Sequence, residues 1–321
     1  MTLLPLTSSD LQATAPATRL GLDAAGVEGI VRGLLLPGHI ACTALIDISV
    51  GVPPAQRGVH MSRFHEAIEA AVLAAGMDPG RPGTKNEARG SGAGIPAGAG
   101  LELLAEAVAR EAAARQQTPG ASAVVRATIV VPAASPASGL PSLEPISLVA
   151  GALVAEGVVR RTLEVSVTGM TACPCAQELV REGARERLAG EGYTPGEVAR
   201  ILELVPAATH NQRGTATLAL ETSRLLDPAV LAELAWNSMS ARTYELLKRA
   251  DERAVVEAAH ANPRFVEDCV RELVRSVLSA PLGLADDDRV AAAQVNHESI
   301  HAHDVRASLA GSVGELRARL S

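Results

Sequence analysis

"RRTLEVSVTGMTACPCAQELV", residues 160–180, changes its period in mid-stretch. Up to Met170 the β-branched and apolar residues alternate with polar ones, which is the pattern of a strand with one face in a core. At Cys173-Pro174-Cys175 the alternation stops, and the spacing that follows is helical. A strand that hands over directly to a helix sets the expectation for the whole chain, a sheet with helices laid against it.

Reading outward, "SAVVRATIVVPA" (122–133) is a second long strand, with a Pro- and Ser-rich connection expected over 134–147. Upstream, "ACTALIDISV" (41–50) reads as a strand and 62–77 as an amphipathic helix. The Gly-, Pro- and Ala-rich run at 78–100 has no apolar period and reads as a loop, before a helix over 101–116. Downstream come helical stretches at 176–190 and 195–205 and a strand over 215–221. From 227 to 281 the pattern is mostly helical, with Pro263 opening the last long helix and Asn262 capping it. A final strand is expected over 289–296. The order points to an α+β chain of antiparallel sheets covered by helices on one face, in two halves, 1–150 and 151–321.

Composition narrows the function. Hydrophobic residues are 47% but aromatics only 2%, so the core must be built from Ala, Val, Leu and Ile, and Phe64 and Phe265 mark segments of interest. A net charge of −7 argues against nucleic-acid binding through bulk positive charge. No apolar run reaches the roughly 18 residues of a membrane span, and "MTLLPLTSSDLQ" lacks a basic start and apolar core. A soluble cytoplasmic protein is expected. Four cysteines, unevenly spaced, do not make a disulfide framework in 321 residues, so cysteine here means chemistry, metal or packing.

The chemistry-bearing residues cluster. A thiolate of "CPC" at a helix N-terminus is stabilised by unpaired backbone N–H groups and the helix dipole, as suits a ligand or nucleophile; two small buried thiols are the alternative. "NHESIHAHD" (296–304) packs three of eight histidines into nine positions. Neither a strand nor a helix gathers Glu298, His301 and His303, but a strand end bending into a turn would, as a metal or acid/base site or as a hydrated turn. "ATHNQRG" (208–214) offers His210, Gln212 and Arg213 for a ligand or anion, or simply a capping turn. "LLKRADERAVVE" puts Lys248, Arg249, Asp251 and Glu252 at a helix boundary, where a solvated charged turn is the plainer account. Glu267 suits the first turn of its helix. Arg57, His60 and Arg63 follow a strand and suit a phosphate or an ordinary basic loop.

Together, "RGVHMSRF", "TACPCAQE", "THNQRG", "LLKRADE", "NPRFVEDCVRE" and "ESIHAHD" occur in the order and nearly the wording of one family. Over most of its length the chain resembles the type IB GTP cyclohydrolases, which begin folate-type and methanopterin-type pterin synthesis. The resemblance implies a tunnelling fold of paired antiparallel modules, a homotetramer with sites at subunit interfaces, GTP as substrate, and one divalent metal, iron, manganese or zinc. By motif position it makes Cys173 the metal-ligand and catalytic thiol, with Cys175 its competitor. His210 and Glu252 are implied as further ligands, and His301 as a ligand or proton-transfer group. Glu298 and His303 are implied as acid/base groups and Glu267 as the purine anchor. Triphosphate binding falls to Arg57, Arg63 and Arg213, with Lys248 a further candidate. The long spacing at 176–209 and the wording "GMTACPCAQE" are closer to the archaeal methanopterin-type members, so the product is either dihydroneopterin triphosphate or its cyclic phosphate. Another tunnelling-fold pterin or deazapurine enzyme, or a non-catalytic protein with a structural metal site, are the alternative readings.

Overall fold

The structure is a computed structural model and describes residues 12, 16, 18, 20–80 and 98–320. Most of the loop expected at 78–100 lies outside the described residues. By internal contact the chain forms two units, Met1–Ala127 with Val149–Leu163, and Thr128–Leu148 with Glu164–Ser321.

The first unit is built on β1 (Leu22–Leu36) and β2 (Ile40–Val52), a long antiparallel hairpin, with β2 also pairing antiparallel with the start of β3 (Gly120–Ala134). Parts of β4 (Pro141–Ala155) and β5 (Val158–Ala172) complete it. Alternate residues of β2, from Ala44 to Val52, are buried, as a strand with one covered face requires. The cover is α1 (Met61–Ala75) and α2 (Leu101–Gln116). In α1, Phe64, Ala67, Ile68, Ala71 and Val72 are buried at helical spacing, and Gly76 ends the helix at φ 67°, where a side chain would be strained. Phe64 is fully buried, so truncating it to Ala would cost about 3–5 kcal/mol. Gln116, also buried, clasps the start of α1, its amide accepting from His60 N–H at 3.0 Å and donating to His60 C=O at 2.7 Å.

In the second unit the rest of β3, β4 and β5 is followed by α3 (Pro174–Gly190), α4 (Pro195–Leu204), β6 (Asn211–Glu221), α5 (Pro228–Asn237), β7 (Ala241–Arg242), α6 (Arg249–Ala261), α7 (Val266–Ser279), β8 (Arg289–Asn296), β9 (Val305–Ser312) and α8 (Val313–Leu320). The strands run β3-β4-β5-β6-β8-β9, with β7 on β5. Helices α5 and α7 pack on this sheet through small and aliphatic side chains such as Leu231, Ala235, Leu273 and Val277. The α+β reading therefore holds, with antiparallel strands backed by helices in each unit. Among the described residues no helix is long and apolar enough to cross a membrane.

Three local expectations are corrected. The connection at 134–147 is shorter than expected, because β4 begins at Pro141 and takes in Ser142, Pro145 and Ser147; Pro141 suits a strand start, and the side chains of Pro145 and Ser147 are exposed. Asn262 does not cap the next helix but closes α6, its N–H bonding Ala258 C=O, while α7 starts after Phe265. Its amide is used by Met239 C=O at 3.3 Å and Ser240 C=O at 3.4 Å, so tertiary contacts override the capping signal. Residues 289–296 are not the final strand, since β9 and α8 follow and the histidine motif beyond Asn296 is a turn between two paired strands.

Candidate active site

Strand β5 delivers Cys173. Its last residue, Ala172, has both backbone groups engaged, the N–H with Ser240 Oγ at 3.1 Å and the C=O with Arg264 N–H at 3.0 Å. Cys173 then caps α3 in an extended conformation, its Sγ accepting from Ala176 N–H at 3.5 Å, with Pro174 in the first turn where a missing N–H costs nothing. Buried Gln177 pins that turn by donating to His260 C=O at 2.8 Å. Cys173 is thus half-buried on a fixed backbone, whereas Cys175 is exposed.

His210 is tied to it through the main chain. Cys173 N–H donates to His210 C=O at 3.1 Å, and Thr209 Oγ1 donates to Cys173 C=O at 2.7 Å. His210 Nδ1 lies 3.0 Å from Gln212 Oε1 and 3.7 Å from Glu298 Oε2. The Glu298 side chain is 7% exposed, and its Oε2 is buried without a hydrogen-bond partner. Glu298 arrives there because β6 and β8 pair with Gly214 opposite Asn296. Gly214 permits that approach, since a Cβ would stand 2.3 Å from Gln294 Nε2. Just beyond the pairing, His297 N–H donates to Arg213 C=O at 2.9 Å, and the chain turns.

Other expected residues are not gathered here within one chain. His301 and His303 are exposed and stack on each other, with ring centroids 5.4 Å apart. Glu252 and Glu267 are exposed in the first turns of α6 and α7. Arg213 is exposed while its neighbour Gln212 is buried, so strand alternation sends it to the face opposite His210 and Gln212. Lys248 is exposed at the start of α6. Arg57 is exposed in the loop before α1, and Arg63 is half-buried in that helix's first turn, both in the first unit.

Asp251 corrects the reading of "KRADE" as a solvated turn. It is fully buried and accepts from Ala137 N–H, Ser138 N–H, Ser138 Oγ and Lys248 N–H at 2.7–2.8 Å. Burial pushes its carboxyl up, but these hydrogen bonds, Ser138 N–H first, outweigh that and hold it down at about 2. Sequence reasoning also missed Glu144, which is buried and receives Glu245 N–H at 3.1 and 3.0 Å on its two oxygens. Its only signal was an acid at a core-facing position of an alternating strand. Ser240 and Thr171, each bonded to a group that positions the site, carried none.

Among the described residues, no three His, Cys, Asp or Glu side chains stand close enough to hold a metal. The donor chemistry nevertheless fits one in part. A thiol at a helix N-terminus adjoins a histidine whose Nδ1 is already engaged, and a buried carboxylate oxygen without a partner points at the same ring.

Comparison with known proteins agrees with the motifs. The family described as type I GTP cyclohydrolase folE2 matches residues 9–307. The chain is 36% identical to "GTP cyclohydrolase MptA" of Methanoregula boonei, over 97% of this chain and 94% of that protein. It is 33% identical to "GTP cyclohydrolase MptA 1" of Methanocella arvoryzae, over 96% and 95%. Among solved structures, uricase from Arthrobacter globiformis aligns with a TM-score of 0.47 at 7% identity, over 91% of this chain and 94% of that one. With a family match across nearly the whole chain and relatives above 30% identity, this chain belongs to the type I GTP cyclohydrolase family.

Proposed function

We propose that the chain hydrolyses GTP at guanine C8, releasing formate and leaving a 7,8-dihydroneopterin phosphate, as an early step of pterin synthesis. One observation supports this most: residues from three separate motifs adjoin in pairs, Cys173 N–H donating to His210 C=O at 3.1 Å and Glu298 Oε2 lying 3.7 Å from His210 Nδ1. The wording "GMTACPCAQE" and the long spacing at 176–209, which resemble the archaeal methanopterin-type members, favour the cyclic phosphate as product.

Cys173 and His210 would hold a divalent metal, with Glu252 and His301 as further ligands. When bound, the metal would polarise a water to attack C8. The other steps fall to the chain's own groups. Glu298, buried beside His210, takes a proton from the attacking water. Water adds to C8, the C8–N9 bond breaks, and a proton must reach the departing nitrogen; His301 or His303 supplies it. A second water then breaks the C8–N7 bond and frees the C8 carbon as formate, and the N7 amine so released condenses with the ribose-derived carbon chain, with loss of water, to close the dihydropterin ring. Glu267 accepts hydrogen bonds from guanine N1–H and the 2-amino group. Arg57, Arg63 and Arg213, none of them gathered beside His210 within one chain, would bind the triphosphate where chains assemble. Glu252, Glu267, His301 and His303 are exposed in a single chain, which is consistent with a site completed when chains assemble into a homotetramer.

The test is an anaerobic assay of metal-stripped protein given GTP with iron(II), manganese(II) or zinc(II). Formate release together with the mass of the pterin would support the reading and decide between triphosphate and cyclic phosphate. Folded, metal-loaded protein that releases no formate with any of the three would overturn it. Loss of formate release in Cys173→Ala, together with weaker metal retention, is the companion result.

A further inference from the structure

Behind His210 lies a short polar relay that never reaches solvent. Thr171, on the last turn of the β5 alternation, is fully buried, and Gln212 on β6 is 7% exposed. The two strands are neighbours in the sheet, and Gln212 Nε2 donates to Thr171 Oγ1 at 2.9 Å. With that bond made, the nitrogen side of the amide faces away from the histidine. What Gln212 presents to His210 Nδ1, at 3.0 Å, is its carbonyl oxygen Oε1. A carbonyl oxygen accepts and cannot donate, so the proton of a neutral His210 must sit on Nδ1. Glu298 Oε2, buried and without a hydrogen-bond partner, lies 3.7 Å from the same nitrogen, beyond hydrogen-bond reach.

We propose that Gln212, anchored by Thr171, is a positioning residue that locks His210 in its Nδ1–H tautomer and so leaves Nε2 as the bare lone pair. This rests on the reading of His210 as a metal ligand, and it assigns which ring nitrogen does the ligating. The free side chain favours the other tautomer, so without the relay most of the population would carry a proton on the nitrogen that has to donate its lone pair. His210 immediately precedes β6 and Gln212 is the strand's second residue, so the acceptor stands two positions along the chain from the ring it orients. The relay is apart from the chemistry, since neither Gln212 nor Thr171 has the exposure to touch a substrate.

The test uses full-length, metal-free protein with ¹⁵N-labelled histidine, at a pH where the ring is neutral, and long-range ¹H–¹⁵N spectra that tell protonated from bare ring nitrogens. His210→Ala identifies the signal. The wild type is expected to show protonated Nδ1 and bare Nε2. Gln212→Leu should shift His210 toward the Nε2–H form and weaken cobalt(II) binding, read from its visible absorption bands, by about 10–100-fold. Gln212→Glu, which keeps an acceptor at the same reach, should retain the wild-type tautomer. Thr171→Val, which frees the amide to rotate, should resemble Gln212→Leu and serves in its place should that variant not fold. A wild-type His210 carrying its proton on Nε2, or a folded Gln212→Leu with an unchanged tautomer, would overturn the proposal and leave the cyclohydrolase reading intact. Cobalt affinity unchanged in His210→Ala would instead remove the ligand role on which the proposal is built.

Discussion

His210 and His301 both sit just outside a strand of the second unit, yet the chain treats them differently. His210 is 14% exposed, with a backbone bond to Cys173, a side-chain bond to Gln212 and a buried carboxylate beside it. His301 lies in the turn after β8, exposed, with the exposed ring of His303 stacked on it. In the same turn His297 is paired with Asp304 at 3.0 Å, both of them about half exposed. One region is pre-organised by interior packing, and its side chains cannot move without disturbing three strands. The other keeps its rings on the surface, in a turn joined to β6 through His297, whose N–H donates to Arg213 C=O at 2.9 Å and whose Nε2 lies 3.3 Å from Thr215 Oγ1. In one chain the molecule therefore builds one wall of its proposed site rigidly and displays the remaining groups on its surface.

The comparison is broken most severely at Glu298. Glu298→Gln should lower formate release by about 10²–10⁴-fold, as loss of a general base does. Activity near wild type would make its burial beside His210 merely structural. Glu267→Ala, on an exposed first helical turn, should leave folding and metal content unchanged and raise the Kd for GTP. Losing charge-assisted hydrogen bonds worth about 1.5–3 kcal/mol corresponds to roughly 10–100-fold, measurable by calorimetry with metal-free protein.

Asp251 sharpens the contrast between buried and exposed groups through pH. Its folded value is about 2 against an ordinary 3.8, so its contribution to stability is complete above 3.8 and is lost as pH falls through 2. Asp251→Asn should unfold at lower urea than wild type at neutral pH, with the gap narrowing as pH drops across that window. A gap independent of pH would assign the loss to shape and not charge. The smallest effect is expected in the exposed turn: His301→Ala and His303→Ala should each change stability by no more than about 0.5 kcal/mol in urea titration while activity falls. A larger loss of stability would mean the turn is part of the scaffold.

Much of the fold was legible because the periods are clean. Residues 160–172 alternate and α1 repeats its apolar face every three or four positions, and each signal is local to its own stretch. β4 was read in part as connection because Pro141, Ser142, Pro145 and Ser147 look like turn residues although they lie within the strand. Asn262 misled for a related reason: a side chain with capping chemistry was bonded to backbone from another segment. "KRADE" carried no sign that one of its two adjacent acids would be fully buried and the other exposed.

By itself the sequence determined the α+β class, the strand-to-helix hand-over at Cys173 and, through six ordered motifs, the family. These depend on residue order and local period, which the chain carries whatever its partners do. Tertiary structure alone decided that Cys173, and not Cys175, is linked to His210, that Glu298 reaches His210 while His301 does not, and that Asp251 is a buried clasp. The physical reason is that strand pairing brings together residues far apart in the chain, Gly214 opposite Asn296 and Thr171 beside Gln212. Which polar groups end in the interior, and what they must then bond, is set by that register and by no neighbour in sequence.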